Sequence, residues 1–388
     1  MKRYAKCPLA RTCGACQLMD FSYTKQLNMK MQYLQELLGM YGPIAPIQGM
    51  DDPTGYRTKI QATFGYDWKQ SITNGIYRQG THELVPIHSC MVQHPLADKI
   101  LKTIRTLATR FSIVPYDEDS GYGYLRHVLI KISRSTNEAM VVLVCGQWPV
   151  PSAANFISAI HQQNPEVTTI ALQINNEQTS MVLGNNPVQV LWGKGYIAEK
   201  LCGLSFRISP SSFFQVNVEQ AQVLYTLAMR MARIEESDFV IDAYCGTGTI
   251  ALIAAKAGAK EVLGIESNEQ AVEDAKANAE RNNLGNVHFV CSDAPSYLKQ
   301  IAKEKQSCDV LFLDPPRSGS DEKFLSSAIR LRPKKIVYIS CNPKTLERDL
   351  RYLLQFGPYR VAGIQPVDMF PHTDHIETIV LLSSDWDV

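Results

Sequence analysis

The spacing of apolar residues changes twice along the chain. In residues 1–43, Leu27, Met31, Leu34 and Leu38 recur at intervals of 4, 3 and 4. That period predicts an amphipathic helix, which Gly39 and Gly42-Pro43 should end. Residues 44–203 carry short apolar runs at 58–64, 127–133, 139–144 and 168–174, set apart by Gly-, Asn- and Asp-rich turns. This is a strand pattern, interrupted by one helical stretch at 92–111. From 204 onward, apolar runs at 239–242, 261–265, 287–290, 310–313, 335–340 and 378–382 alternate with amphipathic stretches such as 249–257 and 270–282. Buried strands alternating with helices predict an α/β, doubly wound, largely parallel sheet. The expected organisation is an N-terminal segment (1–43), a β-rich central domain (44–203) and an α/β domain (204–388).

Composition narrows this picture little. With 45% hydrophobic and 20% charged residues over 388 positions, the chain reads as an ordinary globular protein of more than one domain. No uncharged apolar run is long enough for a membrane span, and the first ten residues do not form a signal peptide. A cytoplasmic, monomeric protein is therefore expected. In a reducing compartment, its ten cysteines point to metal binding or catalysis rather than disulfides. The net charge of +1 says nothing about nucleic acid, but its distribution does. Residues 1–43 hold six Lys/Arg against two Asp/Glu, whereas 204–388 hold twenty against twenty-four. If a phosphate backbone is bound, the N-terminal part is the expected contact; a chance excess of charge is the alternative.

In doubly wound sheets ligands sit beyond the carboxyl ends of the strands, and the informative residues fall there. The strand ending at Asp242 runs into Ala-Tyr244-Cys-Gly246-Thr-Gly248-Thr249, where two glycines allow a tight turn and close backbone approach. Glu266, after the next strand, suits a ribose diol, and Asp293, after the third, an adenine amino group. A dinucleotide fold makes similar shapes, but its third glycine is replaced here by Ala251, and Asp242-x-x-x-Gly246-x-Gly248 followed by Glu266 and Asp293 resembles the methyl-donor site of class I methyltransferases. After the fourth strand comes Asp314-Pro-Pro-Arg317, and Arg317 argues against an amine acceptor. After the fifth comes Ser340-Cys341-Asn342-Pro343, whose Asn-Pro turn lifts a thiol out of the sheet. A thiolate beside a methyl donor makes sense if the acceptor is a poor nucleophile such as C5 of uracil. Addition at C6 activates C5, and a base must then remove the C5 proton. Asp368-Met-Phe-Pro-His372-Thr-Asp-His375-Ile-Glu377 supplies a base in Glu377, with a metal site at the two histidines as the alternative.

Together with Ser209-Pro-Ser-Ser-Phe213-Phe-Gln215-Val-Asn217, these motifs resemble the RNA uracil-5-methyltransferase family over essentially the whole chain. The resemblance implies a class I, Rossmann-like methyltransferase domain with Cys341 as nucleophile and Glu377 as base. It also implies S-adenosylmethionine contacts at Gln215, Tyr244, Gly246, Glu266, Asp293 and Asp314. Cys7, Cys13, Cys16 and Cys90 are similar to the ligands of a [4Fe-4S] cluster in the ribosomal RNA branch; zinc is the alternative, although Cys90 stands alone. The implied partner is RNA, with 23S ribosomal RNA leading and transfer RNA the alternative. Many relatives carry an extra RNA-binding barrel ahead of the cysteines, and none is expected here. Tyr56-Arg57-Thr58-Lys59, Gly75-Ile-Tyr77-Arg78 and Leu125-Arg126-His127 are the expected phosphate and base contacts of the central domain.

Overall fold

The computed structural model describes residues 7–78, 80–179, 181–304 and 308–384. Lys2, Arg3 and Lys6, part of the basic excess of residues 1–43, lie outside the described residues. Among the described residues no helix is long and apolar enough to cross a membrane.

The C-terminal sheet contains the strands β1 (Phe239–Asp242), β2 (Glu261–Glu266), β3 (Val287–Cys291), β4 (Val310–Leu313), β5 (Lys335–Ser340), β6 (Tyr359–Val367) and β7 (Glu377–Ser384). Their spatial order is β3-β2-β1-β4-β5-β7-β6. The β1–β5 strands pair in parallel, while β7 runs antiparallel between β5 and β6. The sheet order reverses between β1 and β4, which opens a crevice at their carboxyl ends. Asparagine and aspartate side chains start the helices on the sheet: Asn268 accepts from Ala271 N, Asp321 from Phe324 N and Asn342 from Lys344 N.

The central sheet spans Lys59–Tyr66, Ile72–Tyr77, Leu84–Pro86, Leu125–Ile132, Ala139–Cys145, Val167–Ile174 and Gln189–Gly193. It is antiparallel apart from the pairing of Ala139–Cys145 with Val167–Ile174, which helix Ala153–Gln163 connects. Two central strands are buried along their whole length. Val128, Ile130, Val141 and Leu143 face helices Pro95–Arg110 and Ala153–Gln163, whereas Leu129, Met140, Val142 and Val144 join the core of the C-terminal domain. Period-2 alternation thus serves two cores at once, and both faces read as apolar. The boundary expected after residue 203 falls inside a hairpin. Ile197–Leu201 pairs with Leu204–Ile208 over its full length, so that ribbon is one unit.

The N-terminal helix is Tyr23–Leu38, capped by Ser22. Leu34 and Leu38 are fully buried in the C-terminal core beside Ile336, Tyr338 and Leu346. Leu27 and Met31 are only half-buried, and the positions buried in their place are polar, Gln26 and Lys30.

Candidate active site

Strand register brings the predicted nucleophile and base together. Ser340 pairs with Thr378 in the antiparallel β5–β7 ladder, so the next residues outward are Cys341 and Glu377. Asn342 caps helix Pro343–Phe356, which starts directly after the thiol, and its amide donates to the carbonyl of Arg317 at 3.0 Å. Ser340 Oγ accepts from Asn342 N at 3.2 Å and closes the same turn. The Cys341 backbone is therefore tied at once to the strand, the helix start and the Arg317 loop.

A cavity of about 550 Å³ opens at this point, lined by Cys341, Arg317, Lys344, His375, Lys30 and Tyr33 among others. Burial pushes the Cys341 thiol up to about 11; Glu377 and Asp314 push it the same way, and Arg317 opposes them. Burial raises the Glu377 carboxyl well above its ordinary range, with Asp314 adding to the effect and Arg317 countering it. Asp314 is itself pushed up to about 7 by burial. Two carboxyls and a thiol thus crowd a space in which Arg317 is the opposing charge. A cation entering it would lower all three.

A second cavity, of about 270 Å³, is lined by Ala243, Tyr244, Glu266, Ser267, Ser292, Asp293 and Pro316 among others, at the crevice of the sheet. Glu266 accepts from Gly246 N at 3.0 Å and from Asn268 N at 2.9 Å. This fixes the carboxylate at the end of β2. Asp293 caps helix Ala294–Lys303 through Ser296 N and also lines the cavity, so the capping role does not remove it from the site. Asp242 accepts from Ala251 N through one oxygen, while its other oxygen is buried without a partner, and burial lifts this carboxyl to about 8. An unpartnered buried oxygen is costly, and Asp242 itself is fully buried and lines neither cavity. Gln215 stands on another side. Its amide donates to Tyr225 Oη at 3.3 Å, and Tyr225 lies within electrostatic reach of Asp314, Glu377 and Asp242. The loop carrying Gln215 is held by buried Lys131, which donates to the carbonyls of Ser209 and Ser212 at 2.8 and 2.7 Å.

The four N-terminal-type cysteines also converge. Burial pushes the Cys16 thiol up to about 12, with Cys90, Cys13 and Cys7 adding to the shift. Cys7, Cys16 and Cys90 pack against Met19, Tyr56 and Val92. Among the described residues, no three His, Cys, Asp or Glu side chains are arranged to close on a single metal ion. The alternative metal site at His372 and His375 has a further obstacle. His372 Nδ1 meets Gln26 Nε2 at 3.1 Å and its Nε2 meets the Pro53 carbonyl at 3.0 Å, so both ring nitrogens are engaged.

Three central-domain expectations need correction. Tyr56, Arg126 and His127 do not face outward. Tyr56 donates to the Pro371 carbonyl, and Arg126 binds Glu118 and the carbonyls of Asn175, Glu177 and Thr179. Burying such groups requires partners inside the fold, and they have them. The sequence reading also missed the contribution of the N-terminal helix to the cavity wall through Met29, Lys30 and Tyr33. A lysine and a glutamine on the face that also carries Leu34 and Leu38 were the available signal.

A family model for tRNA (uracil-5-)-methyltransferase matches residues 169–385. An uncharacterized RNA methyltransferase of Halalkalibacterium halodurans is 39% identical over 383 residues, covering 97% of this chain and 83% of its own length. Another, from Caldanaerobacter subterraneus, is 40% identical over 380 residues with the same coverage of both chains. The crystal structure of Pyrococcus abyssi tRNA (uracil-54, C5)-methyltransferase in complex with S-adenosyl-L-homocysteine superposes with a TM-score of 0.80 at 27% identity, covering 97% of this chain and 86% of that one. Sheet order, crevice and matched sequence agree: the chain belongs to the tRNA (uracil-5-)-methyltransferase family and is an S-adenosylmethionine-dependent RNA methyltransferase of class I fold.

Proposed function

We propose that the protein methylates C5 of a uridine in 23S ribosomal RNA, with Cys341 as covalent nucleophile and Glu377 as base. The observation that carries this reading is the β5–β7 register, which sets the Cys341 thiol at the cavity and the buried Glu377 carboxyl on the neighbouring strand end. Bound S-adenosylmethionine would supply an electrophilic methyl group and a positive charge. Tyr244, Gly246, Glu266 and Asp293 would hold it in the smaller cavity, with Gln215 and Asp314 on the side facing Cys341.

Cys341 Sγ adds to C6 of the uracil and leaves C5 as a carbanion-like centre conjugated to the 4-carbonyl. C5 takes the methyl group as its bond to the donor sulfur breaks, the electron pair of that bond staying on the sulfur as a neutral thioether. Glu377 then accepts the C5 proton, the C5–C6 double bond reforms, and the C6–S bond breaks to return the thiolate. Arg317 favours the ionised thiol, since its charge lowers the Cys341 pKa. The base must leave its helical stack to present C5 and C6 to both groups. Arg317 and Lys344 line the same cavity and suit the flanking phosphates.

The four thiols of Cys7, Cys13, Cys16 and Cys90 would hold a [4Fe-4S] cluster. An all-sulfur donor set suits iron–sulfur or zinc, and the lone Cys90, without a paired Cys-x2–4-Cys arm, is what favours iron–sulfur. Its role would be to fasten the N-terminal segment to the central domain, since methyl transfer needs no electron.

Transfer RNA is the second reading, favoured by the likeness to the Pyrococcus enzyme named for it. The test is transfer of labelled methyl from S-adenosylmethionine to unmodified 23S ribosomal RNA and to unmodified transfer RNA, followed by nucleoside analysis. 5-Methyluridine in ribosomal RNA supports the first reading, and the same nucleoside in transfer RNA alone replaces it with the second. Label on another base overturns both.

A further inference from the structure

The segment joining β6 to β7, residues 368–376, ends at Glu377. It has no regular structure of its own, yet its first five residues, 368–372, are tethered from outside. Asp368 is held from both sides: its N–H donates to the Gln48 carbonyl and its own carbonyl accepts from Gln220 Nε2. The Met369 carbonyl accepts from Asn217 Nδ2 and the Pro371 carbonyl from Tyr56 Oη. The N-terminal helix and the residues flanking it make the remaining ties. Lys30 Nζ reaches Asp368 Oδ1 at 2.6 Å and the Phe370 carbonyl at 3.3 Å, and Tyr23 Oη donates to Asp368 Oδ2 at 2.8 Å. Gln26 accepts from His372 N at 3.0 Å and donates to His372 Nδ1. Leu18 N closes the set by donating to the His372 carbonyl at 2.9 Å.

Tyr23, Gln26 and Lys30 are spaced 3 and 4 apart, so they form one stripe of the helix. His372 itself sits at φ +70°, a conformation that a non-glycine residue keeps only when its surroundings impose it. Gln26, Leu18 and Pro53 impose it here, on both backbone groups and both ring nitrogens.

Lys30 and Asp368 expose only 2% and 0% of their side chains. Burying an ion pair is a poor route to stability, because apolar residues of similar size commonly do as well. Such pairs are better explained where they fix one geometry among several. What lies within reach of this one is the entry to β7: Val367 pairs with Glu377, so the residue gripped by Lys30 adjoins the partner of the base.

We propose that Lys30 is a positioning residue for the proton-removing step, fixing Asp368 together with Tyr23 and so setting the loop that aims Glu377 across from Cys341. This rests on Cys341 and Glu377 acting as nucleophile and base. The nucleophile and the residues proposed for the cofactor stand outside the loop, although Asp374, His375 and Ile376 of the loop line the cavity at Cys341. Cys341 stands on the β5 turn, and the residues proposed for the cofactor stand on the strand ends and on the loop before helix Val218–Ala232. Only the second half needs Glu377, where the C5–H bond breaks, the proton passes to the carboxylate, and the C6–S bond opens. Loosening the loop therefore stalls the enzyme after methyl transfer, with the methylated base still bonded to Cys341. By the same route the cysteine-bearing segment, through Leu18, is mechanically joined to the release half of the cycle.

The experiment compares wild type, Glu377→Gln, Lys30→Met and Tyr23→Phe on the unmodified RNA that accepts label, 23S ribosomal transcript or transfer RNA. Labelled covalent RNA–protein adduct on denaturing gels is measured alongside turnover, KM for S-adenosylmethionine and melting temperature. Glu377→Gln is expected to accumulate adduct. Lys30→Met should also accumulate it, with turnover lower by about 10- to 100-fold, the range of an ångström-scale misplacement. Its KM for S-adenosylmethionine should be unchanged. Tyr23→Phe, which keeps the ring and loses the hydrogen bond to Asp368 together with the one accepted from Met50 N, should show a smaller effect of the same kind. A folded Lys30→Met that turns over normally, or slowly without adduct while Glu377→Gln traps it, overturns the proposal. Should Lys30→Met fail to fold, Tyr23→Phe decides by the same criterion. No adduct with Glu377→Gln overturns the assigned roles of Cys341 and Glu377, and this proposal with them.

Discussion

Cys341 and Glu377 lie on adjacent strand ends one step beyond the Ser340–Thr378 pair, although they are far apart in the chain. The parallel strands deliver ligand-binding loops to one edge of the sheet. The antiparallel β7 delivers its first residue, rather than its last, to that same edge. A carboxyl at the start of the one reversed strand therefore meets a thiol at the end of its neighbour.

The two groups should fail differently when removed. Cys341→Ala is expected to abolish both methyl transfer and adduct. Glu377→Gln should lower turnover by roughly 10²- to 10⁴-fold, the usual contribution of a positioned base, while still forming adduct. Labelled-methyl assays with gel analysis check this, and residual turnover by Cys341→Ala would sink the covalent route.

The thiol should titrate high in the absence of cofactor. Its pKa is raised to about 11 by burial first, then by Glu377 and Asp314, with Arg317 opposing. Alkylation requires thiolate, so the rate at Cys341 should climb about tenfold per pH unit up to that value. Asp314→Asn removes a negative charge and should move the midpoint down; Arg317→Ala removes a positive one and should move it up. Mass spectrometry of the peptide bearing Cys341 reads both shifts. Movement of both variants in one direction would contradict this electrostatic account.

Much of the catalytic domain was legible in the sequence because its strands are short, apolar and followed at once by polar motifs. β1, β4 and β5 fall at the expected residues, and the cavities gather Tyr244, Glu266, Asp293 and Cys341. The central domain was less legible. Its residues Arg126, His127 and Tyr56 read as surface polar groups, because sequence cannot show that the carbonyls and carboxylate which satisfy them lie on distant loops. Helix Ala153–Gln163 escaped notice among strands of similar polarity. The stripe of Tyr23, Gln26 and Lys30 was obscured for the same reason. Its partners lie more than 300 positions away, and an apolar period registers only Leu27, Met31, Leu34 and Leu38.

Removing one cysteine should release the cluster without disturbing the cofactor site. The Cys90 N–H donates to Asp98 Oδ2 at 3.1 Å, so Cys90→Ser keeps the local backbone bonded. Protein purified without oxygen is expected to carry iron and sulfide and to show the broad visible absorption of an iron–sulfur cluster. Cys90→Ser should lose most of both and melt several degrees lower, with cofactor affinity unchanged. Zinc in place of iron in the anaerobically purified protein would reassign the four thiols.

Two glycines of the cofactor loop should respond in opposite ways to alanine. Both have positive φ, +51° at Gly246 and +83° at Gly248, so each substitution carries about 1–2 kcal/mol of backbone cost. At Gly248 a Cβ would also stand 2.9 Å from the Phe289 ring and 3.1 Å from Ala275 Cβ, against the packed core. At Gly246 a Cβ meets no atom of the chain within 4 Å. That open space lies beside the Glu266 carboxylate, where the proposed cofactor would approach. Gly248→Ala should therefore lower the melting temperature more, and Gly246→Ala should weaken S-adenosylhomocysteine binding more, by about tenfold for each 1.4 kcal/mol of lost contact. Calorimetric melting and titration of the two variants separate the effects. Wild-type affinity in a folded Gly246→Ala would mean that the ligand does not approach that glycine, and the placement of the cofactor against the Asp242–Thr249 turn would have to be abandoned.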